Sequence, residues 1–373
     1  MDKDVFHGQI CENDSLEQQE TDGRPAGGVQ RKATLSDVAR AAGVSLGTAS
    51  KALRNQTRIS AATRERVRTA ARELSYTPNA LAQSLVSGRS HTIGMITEDL
   101  QGRFSTPLLI GAERRLGEEQ TSILLSNAHG NPVLERNHIR DLLSHNIEGL
   151  IVANPETNPR EPLGIDIPVP LVYAYAPSID SNDCSVTCDN VGAGKMAVRH
   201  LVDQGRSRIA MIGGTKSYKA ATDRTRGVLE ELDACGLELA GVLRYGDWTE
   251  AWGRDATRLL LADGTEFDSI ICQNDQIARG CIDILKHRGI NIPDDVAVMG
   301  HDDWDVLVTD SRPPLTSISN EVEAIGALAA SMLVDAINGK PHQGITYVPC
   351  KLHARASTGV REGGARGLGS GAE

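Results

Sequence analysis

The sequence predicts an all-α helix-turn-helix headpiece followed by an α/β body of two doubly wound parallel-sheet subdomains. Three observations predict it. The chain has 373 residues, too many for one small core. A basic segment near the N-terminus carries short helical patterns broken by a glycine. Beyond it, short apolar runs alternate with amphipathic stretches over more than 250 residues.

Residues 1–30 are acidic and polar with no sustained apolar period, and 362–373 are of similar character, so both tails are expected to be disordered. Residues 31–76 form the expected headpiece and 77–89 a hinge segment with one apolar turn. Thr34 with Asp37 three residues on makes a capping box, after which Leu35, Val38 and Ala39 supply the apolar face of a first helix. Gly43 closes that helix, and Ser45 caps the next. Ser60 caps a third, whose Val67, Ala70, Ala71 and Leu74 are expected to pack beneath the other two. Two short helices joined by so brief a turn cross steeply and present the second to a DNA major groove.

Charge supports a DNA partner. The chain carries -10 overall, yet residues 31–89 hold eleven Lys and Arg against three acids, leaving -18 for the remainder. A basic module on an acidic body is a nucleic-acid footprint. On the outward side of the second helix, Leu46, Gly47 and Lys51 face base edges, while Thr48 and Ser50 reach phosphates. A basic three-helix bundle with solvated faces is the alternative.

In the body, 90–361, the runs HTIGMIT, SILLSN, GLIVAN, PLVYAY, RIAMIGG, SIICQN and VAVMG read as strands. PLLIGAERRLGEEQ, VLERNHIRDLLSHN, AGKMAVRHLVDQG and DQIARGCIDILKHRG read as helices between them. Parallel sheets of this kind bind ligands at the carboxyl ends of their strands.

Several function classes are excluded. No apolar run is long enough for a membrane span, and the N-terminus lacks a secretory pattern, so a cytoplasmic protein is expected. Seven cysteines without a CxxC pair are expected to be free thiols; Cys184 and Cys188 lack partners for a metal, and no metal or cofactor is expected. VGAGKMAV lacks the earlier glycine and the hydroxyl of a phosphate-binding loop. Asp302 and Asp303 are adjacent and, on a strand, would point oppositely, a poor acid/base pair. No enzyme is expected.

DVARAAGVSLGTASKAL followed by TRERVRTAARELSYTPNALAQSLVSGRSHTIG resembles, in order, the headpiece and hinge of the lactose-repressor/galactose-repressor family, and the resemblance continues to about residue 360. It departs at Arg54, where the family commonly has asparagine. The resemblance implies a homodimer on a pseudo-palindromic operator in double-stranded DNA. It also adds Thr34, Ser45, Tyr76 and Asn79 to the DNA-contacting set, and implies that Leu85 wedges into the minor groove at the operator centre. The simpler alternative is that Leu81 and Leu85 pack on the body.

For the body, the resemblance implies a periplasmic-binding-protein-like effector domain with a ligand cleft between lobes joined by three crossings, placed near Asp189, Ser319 and Gly339. The first lobe is then about 90–188 and 320–338, the second about 189–318 and 339–361. Carried over by position, Arg224, Trp248, Asn274 and Asp302 face Asp99 and Phe104 across the cleft, with Asp189 at a crossing. An arginine, an amide, carboxylates and an aromatic plate suit a polyhydroxylated effector, most simply a sugar that relieves repression. Corepression, activation, response to a non-sugar metabolite, a solute-binding protein, or an enzyme with an appended DNA-binding module are the alternatives. Each residue also has a structural alternative: Arg224 pairing with Asp223 or Glu230, Asp302 capping a loop, Trp248 in the core.

Overall fold

The computed structural model describes residues 33–53, 59–77 and 88–359. The chain divides into two units, Met1–Gln83 and Ser84–Glu373.

The first unit holds α1 (Leu35–Ala41), α2 (Leu46–Leu53) and α3 (Ala61–Glu73). The capping box forms: Asp37 N donates to Thr34 Oγ1 at 3.3 Å and Thr34 N to Asp37 Oδ2 at 3.0 Å. Gly43 turns the chain at φ +62°, a conformation that costs a residue without Cβ little. Ser45 Oγ and Ser60 Oγ then accept from Thr48 N and Thr63 N, each at 3.2 Å, to start α2 and α3. The core is small: Val38, Ala39, Ala42, Ala49, Ala52, Val67, Ala70 and Ala71, with Leu35 and Tyr76 against its edge. Alanine there lets three short helices approach closely. Leu74 does not join it. It lies past the last turn of α3 and is exposed, while Tyr76 N bonds back to Ala71 O and its ring packs on the core instead.

The second unit begins with β1 (Thr92–Thr97), α4 (Ser105–Gly117), β2 (Ser122–Asn127), α5 (Pro132–Ser144), β3 (Gly149–Ala153), β4 (Leu171–Ala174) and β5 (Cys184–Cys188). The chain then enters the second lobe as α6 (Asn190–Asp203), β6 (Ile209–Gly213), α7 (Lys219–Ala234), β7 (Arg244–Tyr245), α8 (Glu250–Ala262), β8 (Ser269–Cys272), α9 (Asp275–His287), β9 (Ala297–His301), α10 (Asp305–Val308) and β10 (Thr316–Ser319). It returns for α11 (Val322–Ile337) and β11 (Gly344–Val348), and crosses again to β12 (Lys351–His353). The first sheet runs β11-β5-β4-β3-β1-β2, the second β12-β10-β9-β8-β6-β7. All pairings are parallel except β10 with β12.

The third crossing is not at Gly339. β11 pairs with β5 in the first lobe, Val348 opposite Cys188, so the chain crosses at Pro349–Cys350 and residues 339–348 stay with the first lobe. That pairing spans about 160 residues of sequence, which no local pattern encodes. Five strands also lie outside the seven expected runs. β5 is fully buried yet reads Cys-Ser-Val-Thr-Cys, without the apolar continuity that marks its neighbours.

Three helix pairs cover the sheets, and each meets through reciprocal glycines. A Cβ on Gly111 would lie 1.9 Å from Glu323 O and one on Gly326 2.0 Å from Leu108 O, which closes α4 on α11. Gly194 and Gly227 do the same for α6 and α7, Gly253 and Gly280 for α8 and α9. Backbone-to-backbone approach at these points leaves no room for a methyl group.

Candidate functional site: a DNA-reading helix and an interlobe cleft

On α2, Ala49 and Ala52 face the core while Leu46, Gly47 and Lys51 are exposed. Leu46 is 54% exposed on this outward side. Thr34, Ser45 and Thr48 are committed first to structure. Thr34 Oγ1 bonds Asp37 Oδ2 at 2.6 Å, and the Ser45 and Thr48 hydroxyls bond each other at 2.9 Å. Ser50 lies half-buried on α2, and Tyr76 packs on the core edge. Asn79 and Leu85 lie outside the described residues, as do Leu81 and Arg54.

Between the lobes of the second unit, a cavity of about 150 Å³ is lined by Arg103, Phe104, Glu156, Tyr175, Tyr218, Arg224, Trp248 and Asp302, among others. Its floor is the Arg224 guanidinium. Arg224 is 5% exposed; Nε donates to Asn190 Oδ1 at 2.8 Å, Nη1 to Gln273 O at 2.5 Å and Nη2 to Asn320 Oδ1 at 3.4 Å. Asp302 Oδ1 lies 3.7 Å from Arg224 Nη2 and accepts from Asn320 Nδ2 at 3.0 Å. His301 donates through Nε2 to the same Asn320 Oδ1 at 2.8 Å; burial, then the nearby Arg224 charge, push its pKa well down and keep the ring neutral. A buried charge so surrounded is compensated on every side.

The walls are aromatic and span both lobes. Phe104 stacks on Tyr175 at 5.1 Å in the first lobe, and Tyr218 tilts over Trp248 at 5.9 Å in the second. Tyr175 holds φ at +75°, a strained backbone for a bulky residue, at the carboxyl end of β4. Arg103 crosses the mouth: Nη2 is 3.2 Å from Asp302 Oδ2, and its guanidinium lies 4.7 Å over the Trp304 ring. The Glu156 carboxylate, from the opposite lobe, and burial push the Tyr218 phenol up to about 12. Two donors in this lining are buried without hydrogen-bond partners among the described residues, Arg103 Nη1 and Trp248 Nε1. Such atoms are costly unless something that binds there accepts from them.

Comparisons with known proteins agree with this architecture. The lacI family of bacterial regulatory proteins matches residues 34–79, and a periplasmic binding protein-like domain matches 198–358. The HTH-type transcriptional regulator CelR of Thermobifida fusca is 32% identical over 345 residues, 90% of this chain and 99% of that protein. The ribose operon repressor of Escherichia coli (strain K12) is 32% identical over 308 residues, 82% of this chain and 93% of that one. This chain belongs to the LacI family of bacterial transcriptional regulators. Among solved structures, the lac repressor dimer bound to operator and the anti-inducer ONPF superposes with a TM-score of 0.71 at 26% identity, over 88% of this chain and 99% of that one. The CelR–cellobiose complex gives 0.61 at 28%, over 87% and 99%.

Within this LacI-family body, four of the seven expected effector residues share the cavity: Phe104, Arg224, Trp248 and Asp302. Three do not line it. Asp99 turns its carboxylate onto its own loop, accepting from Gln101 N at 2.8 Å. Asp189 caps α6 through Gly192 N at 2.8 Å. Asn274 caps α9 through Ile277 N at 2.8 Å and holds Trp248 O at 3.2 Å, so it positions the aromatic plate rather than facing the cavity. The structural alternative for Arg224 does not form, since Asp223 pairs with Lys219 and Arg226, and Glu230 with Lys195, while Trp248 packs against the second lobe's core as well as lining the cavity. Asp302 and Asp303 do point apart, toward Arg224 and Arg355 respectively, but in a left-handed turn at φ +96° and +52° after β9 rather than along a strand. Arg103, Glu156, Tyr175, Tyr218 and Asn320 were not singled out in the sequence. Arg103 follows β1 as Asp99 and Phe104 do, at the carboxyl end of a parallel strand where such sheets bind ligands, and that position is the signal that could have found it.

Proposed function

We propose that the protein is a homodimeric repressor that binds a pseudo-palindromic operator in double-stranded DNA and leaves it when a sugar or sugar derivative closes the interlobe cleft. The observation that carries this reading is the pair of unpartnered donors, Arg103 Nη1 and Trp248 Nε1, in a cavity walled by aromatic rings from both lobes. A polyhydroxylated ring presents acceptors to such donors and its apolar face to the rings. Formal charge within the lining balances, Arg103 and Arg224 against Asp302 and Glu156, which favours an uncharged ligand over a sugar phosphate or nucleotide.

The cleft acts as a binder and not as an enzyme: its acid and base groups are tied to one another rather than aimed at a common reacting atom. Leu46, Gly47 and Lys51 read base edges, with Thr34, Ser45, Thr48, Ser50, Tyr76 and Asn79 against the sugar-phosphate backbone. Leu85 wedges the minor groove between the two copies. The relatives named as repressors and the complex of CelR with cellobiose support the same reading. A cytoplasmic location accompanies DNA binding.

The test is a thermal-shift screen of the full chain against neutral sugars and sugar phosphates, followed by operator release measured on a duplex selected from a random pool. A sugar at 100 times its dissociation constant stabilises the body by about 2.7 kcal/mol and frees the duplex. Stabilisation by sugar phosphates alone would overturn the neutral-ligand assignment. A stabilising sugar that tightens the duplex complex would make the protein a corepressor-dependent regulator.

A further inference from the structure

We propose that Cys188 and Cys350 form an oxidative modification site at the hinge, where a peroxide joins them in a disulfide that ties the first lobe crossing to the third. This goes beyond ligand-controlled operator release and does not depend on the ligand's identity.

Cys188 is the last residue of β5, immediately before the first crossing at Asp189; Cys350 lies in the third crossing, between β11 and β12. The two crossings run side by side, since Val348 pairs with Cys188 and Asp189 N donates to Val348 O at 2.9 Å. Cys350 Sγ lies 3.6 Å from the backbone oxygen of Asp189, the residue next to Cys188, which brings the two thiols to neighbouring positions on the paired crossings. Both side chains are buried, at 2% and 6% exposure, so partner proteins in solution do not reach them. Cys188 also lines a second cavity of about 390 Å³, outside the ligand cleft, which admits a molecule as small as hydrogen peroxide.

The environment divides the labour between the thiols. Cys188 lines the cavity by which a small oxidant reaches the hinge, whereas Cys350 is not among the residues that line it. Cys188 is therefore the nucleophile and Cys350 the resolving thiol. The Cys188 thiolate attacks one peroxide oxygen, the O–O bond breaks, hydroxide leaves, and a sulfenic acid forms. Cys350 sulfur then attacks Cys188 sulfur, the S–O bond breaks, and hydroxide departs with the Cys350 proton as water. In sum, two electrons pass from the sulfurs to the peroxide, giving one disulfide, one water and one hydroxide.

A second thiol pair, Cys272 and Cys281, lacks these features. Burial pushes Cys272 well up, and both lie inside one lobe, so a bond there would tie nothing across the hinge. Lobes that turn about three crossings lose that freedom when two of them are covalently joined, so the oxidised protein keeps one lobe angle.

The experiment treats the full chain with hydrogen peroxide, denatures it in an alkylating agent, and maps the peptides without reductant. The expected product is a Cys188–Cys350 cross-linked peptide that dithiothreitol removes, with Cys272 and Cys281 still alkylated. Full alkylation of Cys188 and Cys350 after peroxide, sulfinic acid at Cys188 without a cross-link, or a linkage to other cysteines would overturn the proposal. Cys188→Ser and Cys350→Ser should each abolish the link, and the wild-type map decides the question even where a variant does not fold. Amide hydrogen exchange at Asp189, Asn190 and Cys350 should slow on oxidation and recover on reduction; unchanged exchange would overturn the hinge constraint.

Discussion

Arg224 Nε donates to Asn190 Oδ1 at 2.8 Å, joining the floor of the ligand cleft to the residue that follows the first lobe crossing. Its Nη2 reaches Asn320, which follows the second crossing, at 3.4 Å. Asn320 in turn lies 4.0 Å from the thiol of Cys350 in the third. One guanidinium thus binds the residues that follow the first and second crossings, and Asn320 links it to the third. A ligand that competes for its donors shifts the hinge through differential contacts in the two lobe arrangements.

Replacing it tests that arrangement. Arg224→Ala leaves Asp302 with Arg103 and Asn320 as partners but strips Asn190 Oδ1 and Gln273 O of their donor. A loss of about 2 to 3 kcal/mol in urea unfolding is expected, together with loss of ligand stabilisation in thermal-shift assays. Intact ligand stabilisation in this variant would show that the guanidinium is purely structural.

Gly194→Ala places a methyl group 2.3 Å from Arg224 O, forcing α6 from α7. It should lower stability by about 1 to 3 kcal/mol and weaken ligand binding by moving the helix that carries Arg224. Gly117→Ala is the contrast, because its Cβ meets nothing within 4 Å and alanine favours helix, so that variant should unfold no earlier than wild type.

Lys51→Ala removes the exposed cation of α2 while leaving Ala49 and Ala52 in the core. Binding to a selected duplex should weaken by about 1 to 3 kcal/mol per half-site, with preference relaxed at one symmetric pair of base positions. Uniform weakening across all duplexes would mean that Lys51 contacts phosphate.

Asp275 supplies a pH test. Burial, then the charge of Asp302, push its carboxyl up to about 8, against about 3.9 in an unfolded chain. The folded state therefore keeps a proton that the unfolded state releases. The contribution to stability is full below about pH 4 and is lost as pH rises through about 8. Asp275→Asn cannot titrate, so between pH 5 and 8 its urea midpoint should fall less with rising pH than that of wild type; parallel profiles would show the carboxyl ionised in the fold.

The headpiece was legible because its signals are local. A capping box over four residues, a glycine at the turn and serines before two helices each act within one helical turn, and all form. Leu74 was misplaced because helical periodicity was carried one residue past the end of α3, where the chain enters a left-handed turn at Ser75. In the cleft, Arg224, Asp302, Phe104 and Trp248 were found by the rule of carrying positions over from the family resemblance; Arg224 itself lies within α7, not at a strand end. The same rule misassigned Asp99 and Asn274, because a short polar side chain at a strand end serves equally well to brace a loop or cap the next helix.

By itself the sequence determined the class of each unit, the three headpiece helices, the exposed face of α2 and the sheet-and-helix alternation of the body. Each follows from periodicity, caps and charge within a few residues. Only the tertiary structure decided that β11 belongs with β5, that the third crossing falls at Pro349–Cys350, that Arg103 bridges to Asp302 across the lobes, and that Cys350 lies against Asp189 beside Cys188. These contacts join residues about 160 to 200 apart in the chain, where partner choice is set by sheet order and close helix packing rather than by any local preference.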